Sequence, residues 1–304
     1  MDALSSIIDV ASIRGSLDLR CQMAGRFTIP HERAEPGEAI FHLMLAGAAQ
    51  IKVTGGPALK LVAGDLVLLP RGAAHALRGI GKHAAPPVHL DSTGPLLKRV
   101  NAEDGAEMDL LCGRFSYTHG PADLLMTALP DVLHVSLTSE DSIDAINGVV
   151  GLLRTEVMHM RSGALAVVTS LMQVLLVMAL RIYTQREHIS PSLLGLLGDP
   201  RLSTAILSMI RKPYEPWTVE ALAKVANMSR ATFARQVSEK GAMSPMDLLT
   251  TIRIHLSCGL LQTTDLVLAD VAERVGYQSG SAFTKVFRKR MGMTPFAYRK
   301  GTAP

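Results

Sequence analysis

The chain has 304 residues, of which 48% are hydrophobic, so it is long enough for two domains and too apolar for a disordered protein. Residues 201–304 hold 15 Lys and Arg against 7 Asp and Glu, whereas residues 1–200 hold 16 against 20. A phosphate-contacting surface is therefore expected only in the C-terminal third. The acidic start without a basic region, and the odd count of three cysteines, argue against secretion and a disulfide framework. We expect a cytoplasmic protein with reduced thiols.

The first third of the chain carries strand patterns. Residues 16–23 alternate, which places Leu17, Leu19, Cys21 and Met23 on a buried face and Ser16, Asp18, Arg20 and Gln22 on the other. Further strands are predicted at 39–45, 48–53, 59–61, 66–69 and 88–90, separated by Gly, Pro and Asp as in a small barrel or sandwich. Residues 82–107 have no sustained period and predict a long loop. The pattern then resumes with Met108, Leu110 and Cys112 on one face, so both Cys21 and Cys112 are expected to point inward.

The stretch GDLVLLPRGAAH at residues 64–75 resembles the second motif of cupin barrels, whose final His often binds a metal. His75 holds that position, and His42 lies near the place of the first motif, whose other ligands are absent. A metal at His42 and His75 is one interpretation, with His31, His83 or His89 completing the site. Surface histidines in loops are the alternative. A metal-dependent enzyme would need three or four ligands and is only a remote alternative.

Two helices are predicted after the barrel, which residues 124–137 are expected to close. Ser139 followed by Glu140 or Asp141 predicts the start of a helix at 143–160, and an apolar helix follows at 164–183. The second helix is at the short limit for a membrane span and contains polar residues, so we expect it to be buried and to form a homodimer, without a membrane partner. The segment 185–200, with two Pro and two Gly, is interpreted as a linker.

The C-terminal third repeats one pattern. TVEALAKVANMSRATFARQVSEKGAMSP and LVLADVAERVGYQSGSAFTKVFRKRMGMTP each contain a short amphipathic segment, a polar break and a second segment. Each predicts helix, turn, helix, with a long helix around 245–262 between the copies. Second helices of such units enter the DNA major groove. The predicted DNA-binding residues are Ser229, Arg230, Thr232, Arg235 and Gln236 in the first copy, and Gln278, Ser279, Ser281, Thr284, Lys285 and Arg288 in the second.

This domain resembles the AraC-type bacterial transcription regulators. The resemblance is carried by Ala223, Ser229, Phe233, Arg235, Gly241, Ser244-Pro245, Arg253, Leu260-Leu261, Val271-Ala272, Gly276-Tyr277, Phe283, Phe287, Gly292, Thr294-Pro295 and Tyr298-Arg299. It implies an α+β two-domain fold: a cupin-like β-barrel sensor (1–138), a helical dimerisation segment (139–184), a linker (185–200) and a double helix-turn-helix domain (201–304). It implies promoter DNA and RNA polymerase as partners. It also implies that the protein is a regulator and not an enzyme.

The opening MDALS, Cys21, His31, His42 and the PRGAAH stretch resemble the branch of that family whose activators respond to hypochlorous acid. The resemblance implies that Cys21 and Cys112 sense the oxidant. From the strand pattern alone, each thiol is better explained as a small packing residue, which is also the interpretation for Cys258. A small molecule bound in the barrel is the competing signal.

Overall fold

A computed structural model of the chain describes residues 4–5, 8, 11, 13–85, 87–94, 96–101, 106–117, 120–137, 143–159, 161–186 and 191–301. The chain forms two compact units. The first consists of Arg14–Ser116 and Pro130–Tyr183, and the second of Met1–Ile13, Tyr117–Leu129 and Thr184–Pro304. The predicted barrel and helical segment are therefore one unit, and a stretch from the middle of the chain groups with the C-terminal helices.

The described residues of the first unit contain one ten-stranded curled sheet. Its strands are β1 (Arg14–Met23), β2 (Thr28–His31), β3 (Glu38–Val53), β4 (Ala58–Val62), β5 (Asp65–Leu69), β6 (His75–Gly79), β7 (His89–Asp91), β8 (Leu97–Val100), β9 (Met108–Ser116) and β10 (Leu133–Ser136). The order is β10-β5-β3-β9-β1-β8-β7, and the second half of β3 also pairs with β4 and β6. All pairs are antiparallel except β1 with β8. This arrangement is the expected cupin-like half-barrel.

The strands predicted at 39–45 and 48–53 are one strand, β3. Its register against β9 shifts between Met44 and Ala46, and Gly47 follows with φ of 74°. A Cβ at Gly47 would lie 1.8 Å from the Glu107 carbonyl oxygen. Glycine thus allows the irregularity and the close approach of β9, so the strand bends here and continues.

The strand predicted at 88–90 is β7, whereas the long loop predicted at 82–107 is wrong in part because it also contains β8. Strand β8 has four residues and pairs with β1, which lies about eighty residues earlier in the chain. Period-two alternation is not readable in so short a strand. Strand β2 is equally short and also escaped prediction, as did β6. Of the segment 124–137, only β10 closes the sheet by pairing with β5, since residues 124–128 are helical.

The barrel core lies on the face predicted from the alternation. Cys21, Met23, Met108, Leu110 and Cys112 belong to one buried cluster. Arg20 is a correction: it was expected on a solvent-facing side, yet it is 6% exposed and its Nη2 lies 2.6 Å from Asp109 Oδ2. Alternation tells which side a residue faces but not whether that side is covered, and here an ion pair makes the burial tolerable.

Helices α2 (Ile143–His159) and α3 (Ala164–Thr184) complete the first unit. The predicted capping residues 139–141 and residue 160 lie outside the described residues. The buried residues of α3 include Val168, Met172, Leu175 and Ala179, spaced as one helical face. A Cβ on Gly15 would lie 2.7 Å from Met172 Cβ, so that glycine lets α3 pack against β1. By length and composition α3 could also cross a membrane, with a mean hydropathy of 2.1.

The second unit is helical. It contains α1 (Pro121–Ala128), α4 (Leu193–Leu197), α5 (Pro200–Arg211), α6 (Val219–Val225), α7 (Arg230–Gly241), α8 (Pro245–Thr263), α9 (Leu268–Arg274), α10 (Gly280–Met291) and α11 (Pro295–Arg299). Helix α4 lies inside the predicted linker 185–200. Its four leucines are buried and it packs against α5 and α7, so this part of the segment belongs to the folded unit.

Candidate nucleic-acid interface and cysteine pocket

Helices α6 and α7 form the first helix-turn-helix unit. Thr218 Oγ1 accepts a hydrogen bond from the Ala221 N–H, and Ser229 Oγ accepts one from the Thr232 N–H, each at 3.1 Å. These caps start the two helices. Phe233 and Val237 are fully buried, as their four-residue spacing predicts. The outward side of α7 is thereby fixed.

Two arginines of α7 form ion pairs with glutamates. Arg230 Nε lies 2.8 Å from Glu220 Oε1, and Arg235 Nη1 lies 3.3 Å from Glu239 Oε1. All four side chains are exposed, so water screens both pairs and each contributes little to stability. The pairs leave both arginines accessible to a phosphate.

The second helix-turn-helix unit consists of α9 and α10, and several cations lie on α10. Lys285, Arg288 and Lys289 are exposed, and within the described parts of the chain none of the three makes an ion pair. Gln278 and Ser281 are also exposed. Four of the other predicted DNA-binding residues use polar groups locally. Ser229 and Ser279 cap helices, Thr232 accepts from Ser229, and Thr284 donates to the Gly280 carbonyl. The Oε1 atom of Gln236 is buried.

Arg253 on α8 is a positioning residue that sequence reasoning recognised only as part of a family signature. Its Nε and Nη2 donate to the carbonyl oxygens of Pro213 and Glu215, both at 2.8 Å, and its guanidinium lies 5.9 Å from the Tyr277 ring centre. One side chain therefore fastens the chain before α6 to the turn after α9. It sets the two helix-turn-helix units relative to each other.

In the compact unit that contains the sheet, Cys21 and Cys112 lie on neighbouring strands and face the same side. Cys112 is opposite Leu19, and Cys21 is opposite Leu110, so the two cysteines are diagonal neighbours across β1 and β9. Cys21 is fully buried and Cys112 is 6% exposed. A hydrogen bond from Cys112 lowers the pKa of Cys21, and the same contact raises the pKa of Cys112. The two thiols are therefore close enough to influence each other's ionisation.

A chain of hydrogen bonds leads from Cys112 to three histidines. His42 is opposite Cys112 in the sheet, and its Nδ1 lies 3.2 Å from Cys112 Sγ. His42 Nε2 lies 2.8 Å from His75 Nε2, and His75 Nδ1 lies 2.8 Å from the Ala73 carbonyl oxygen. The His31 ring stacks on His75, with centroids 4.6 Å apart and planes inclined by 4°. The loop-surface interpretation is therefore wrong for His31, although His83 and His89 are exposed.

The Ala73 carbonyl, at the end of this series of hydrogen bonds, determines which nitrogen of His75 and of His42 carries a proton. The Ala73 carbonyl can only accept, so His75 carries its proton on Nδ1 and its Nε2 accepts from His42 Nε2. That leaves a lone pair on His42 Nδ1, which faces Cys112 Sγ at 3.2 Å. Burial lowers the pKa of His31 to about 4 and also lowers those of His42 and His75, so all three rings are neutral at pH 7.

As the three rings lie, both nitrogens of His42 and both of His75 are engaged in hydrogen bonds. Across the described ranges, no group of three or more His, Cys, Asp or Glu has the arrangement of a metal site. The same residues border a pocket of about 300 Å³, which is also lined by Asp18, Glu32, Glu38, Arg99 and Arg114.

Similarity to known proteins identifies the family of this chain. A family model described as Cupin matches residues 2–185, and one described as Helix-turn-helix domain matches residues 222–301. An uncharacterized HTH-type transcriptional regulator of Haemophilus influenzae is 31% identical over 305 residues, the full length of both chains. The HTH-type transcriptional regulator MtrA of Neisseria gonorrhoeae is 32% identical over 99% of this chain and 98% of its own. The chain belongs to the AraC-type family of transcription regulators.

A third relative is the RCS-specific HTH-type transcriptional activator RclR of Escherichia coli K12, which is 28% identical over 99% of this chain and 98% of its own. These relatives confirm the predicted family, the two-domain organisation and DNA binding through the helix-turn-helix domain. An AraC-type regulator of this kind is a DNA-binding protein and not an enzyme. The roles of the individual residues stay predictions.

Proposed function

We propose that this AraC-type regulator is a cytoplasmic activator that senses oxidants of the reactive-chlorine class through Cys21 and Cys112. The observation that carries the proposal is the placement of two buried thiols as diagonal neighbours on adjacent strands, with Cys112 at the edge of a pocket of about 300 Å³. The printed name of the RclR relative supports the class of oxidant.

The proposed chemistry has two steps. The Cys21 thiolate attacks the chlorine of hypochlorous acid, which gives a sulfenyl chloride and hydroxide. The Cys112 thiol then displaces chloride, which gives a disulfide, a proton and a chloride ion. Diagonal neighbours in a sheet are about 7–8 Å apart, whereas the Cα atoms of a disulfide are usually within about 6.8 Å. Closing the bond therefore pulls β1 against β9, and this movement is the proposed signal.

The test is oxidation of the full-length protein with one equivalent of hypochlorous acid. We expect a Cys21–Cys112 disulfide by peptide mass spectrometry, and loss of the promoter response in the Cys21→Ser and Cys112→Ser variants. Cys258→Ser is the matched control. Burial raises the pKa of Cys258 to about 12, so this variant is expected to respond like the parent. Unlinked cysteines together with a normal response of both serine variants would refute the proposal.

A small-molecule signal is the second candidate, and the pocket of about 300 Å³ favours it. It predicts that the Cys21→Ser and Cys112→Ser variants keep their response to the inducing compound. A response that requires both thiols would exclude it.

For DNA recognition, we propose that Arg235, Gln278 and Ser281 read bases, and that Arg230, Lys285 and Arg288 contact phosphates. Lys285→Ala and Arg288→Ala should each weaken binding to all sequences and reduce the slope of log affinity against log salt by about 1. Arg201→Ala, outside both helix-turn-helix units, is the control. An unchanged salt slope in both variants would remove the two cations from the interface.

A homodimer through α3 is also proposed, with RNA polymerase as the further partner of the promoter-bound protein. Val167, Leu171, Val174 and Met178 are spaced four, three and four residues apart, and Val167 and Val174 are exposed. Val174→Glu should convert a dimer into a monomer in analytical ultracentrifugation, because it places a charge in the interface. Thr169→Glu is the control on the same helix. Equal sedimentation of Val174→Glu and the parent would exclude this interface.

A further inference from the structure

Arg99 is a basic residue near the thiols that no motif indicated. Arg20 and Arg114 lie on the strands that carry the two cysteines, but both bind carboxylates. Arg20 pairs with Asp109, and Arg114 binds Asp18 and Glu38. Arg99 lies on β8, within the segment that sequence reasoning interpreted as a loop.

The sheet places Arg99 directly beside Cys21. The parallel register of β1 and β8 pairs Cys21 with Arg99, so the two side chains project from the same face. Arg99 also lines the pocket that reaches Cys112. A guanidinium therefore lies beside Cys21 and at the pocket that reaches Cys112.

The guanidinium has a buried nitrogen without a partner. Arg99 Nη1 is inaccessible to solvent, and within the described parts of the chain it has no hydrogen-bond acceptor. Buried donors of a charged group are normally satisfied, so such a nitrogen indicates an acceptor that forms under other conditions. A thiolate is an anion and a hydrogen-bond acceptor, and Cys21 is the nearest thiol by register.

We propose that Arg99 is a positioning residue that holds Cys21 as a thiolate and so fixes the order of the reaction, with Cys21 attacking the oxidant and Cys112 resolving the product. This inference rests on the proposed oxidant-sensing function. Both cysteines are buried on central strands and Arg99 acts to lower the pKa of both, but only Cys21 is paired with Arg99 in the register, whereas Cys112 lies beside His42. The unequal placement of one cation distinguishes them.

The groups around Cys21 agree with this order. The hydrogen bond from Cys112 lowers the pKa of Cys21 most, Arg99 lowers it further, and burial and Asp109 oppose. Asp109 is compensated by its ion pair with Arg20. The charged and titratable groups on the side of the thiols are Arg99 on β8, His42 on β3, His31 on β2 and His75 on β6, while Asp109 on β9 and Asp18 on β1 act from the opposite side of the strands.

The second step also has a proton acceptor. Cys112 must lose its proton as its sulfur displaces chloride from Cys21. His42 Nδ1 lies 3.2 Å from Cys112 Sγ and carries a free lone pair in the tautomer fixed by Ala73. The proton therefore passes to His42 while the S–S bond forms and chloride leaves.

The test measures the rate of iodoacetamide alkylation of Cys21 against pH, resolved by peptide mass spectrometry, in the full-length protein. In the parent, the midpoint should lie below the ordinary thiol value of about 8.5. Arg99→Gln should raise the midpoint by about one unit and slow alkylation at pH 7 about tenfold, with the rate at high pH unchanged. Arg99→Lys should keep most of the parent profile because it keeps the charge.

Two outcomes would overturn the role of Arg99. One is a parent midpoint for Cys21 at or above about 8.5, which needs no variant and is independent of folding. The other is an identical Cys21 profile in folded Arg99→Gln. Either result, combined with disulfide formation in the oxidised parent, refutes the proposed role of Arg99 and leaves the proposed redox function intact. Absence of the disulfide in the parent refutes the redox function itself.

Discussion

Acid should weaken the folding of the cupin unit because three neutral histidines are buried together. The pKa of His31 is lowered to about 4 by burial and by the neighbouring His75, against 6.5 in the unfolded chain. The unfolded chain therefore binds more protons between these two values. The stabilisation is fully present above pH 6.5 and is lost as the pH falls toward 4.

The structure determines how much folding stability is lost as the pH falls. Between pH 7.5 and 5, a shift from 6.5 to about 4 corresponds to about 2 kcal/mol for an unscreened group, and the partial exposure of His31 reduces this to about 1 kcal/mol. His42 is fully buried and its pKa is lowered in the same direction, so it adds to the loss.

The assay is urea unfolding at pH 7.5 and 5.0, followed by circular dichroism for the cupin unit and by fluorescence for the other. Trp217, the single tryptophan of the sequence, lies in the C-terminal unit and serves as an internal control. His31→Gln should remove about 1 kcal/mol of the pH-dependent loss, whereas His83→Gln, at an exposed position, should remove none. Equal loss of stability in the parent and His31→Gln would refute the reasoning.

Two further predictions concern the C-terminal unit, both measured by urea unfolding with Trp217 fluorescence. Gly276 has φ of 85° and a Cβ there would lie 2.5 Å from the Pro213 carbonyl oxygen, so Gly276→Ala should cost at least about 1–3 kcal/mol. Gly280→Ala, with open space around it, is the control and should be neutral or slightly stabilising; equal effects of the two would contradict the steric argument. Phe287→Ala should cost about 3–5 kcal/mol because the ring is fully buried, and a loss below about 1 kcal/mol would show that the core collapses around it.

The sequence by itself determined the two helix-turn-helix segments of the C-terminal unit, although not its helices α1 and α4. Helix-turn-helix segments are held by contacts between near neighbours: Ser229 and Ser279 cap the second helices, and Phe233 and Val237 are buried at helical spacing. Such short-range relations are written directly in the order of residues. For the same reason, the inward direction of Cys21 was readable from alternation alone.

Tertiary structure decided the chemistry around the thiols. The neighbours of Cys112 are His42, seventy residues earlier, and Cys21, on a third part of the chain, and Arg99 reaches Cys21 only through a parallel pairing of two strands. Pairing across such separations depends on which strands meet in the closed sheet, and no local period encodes it. The sequence could therefore show that Cys21 and Cys112 point inward, while only the fold determined that they are neighbours across β1 and β9 and which charged group lies beside Cys21.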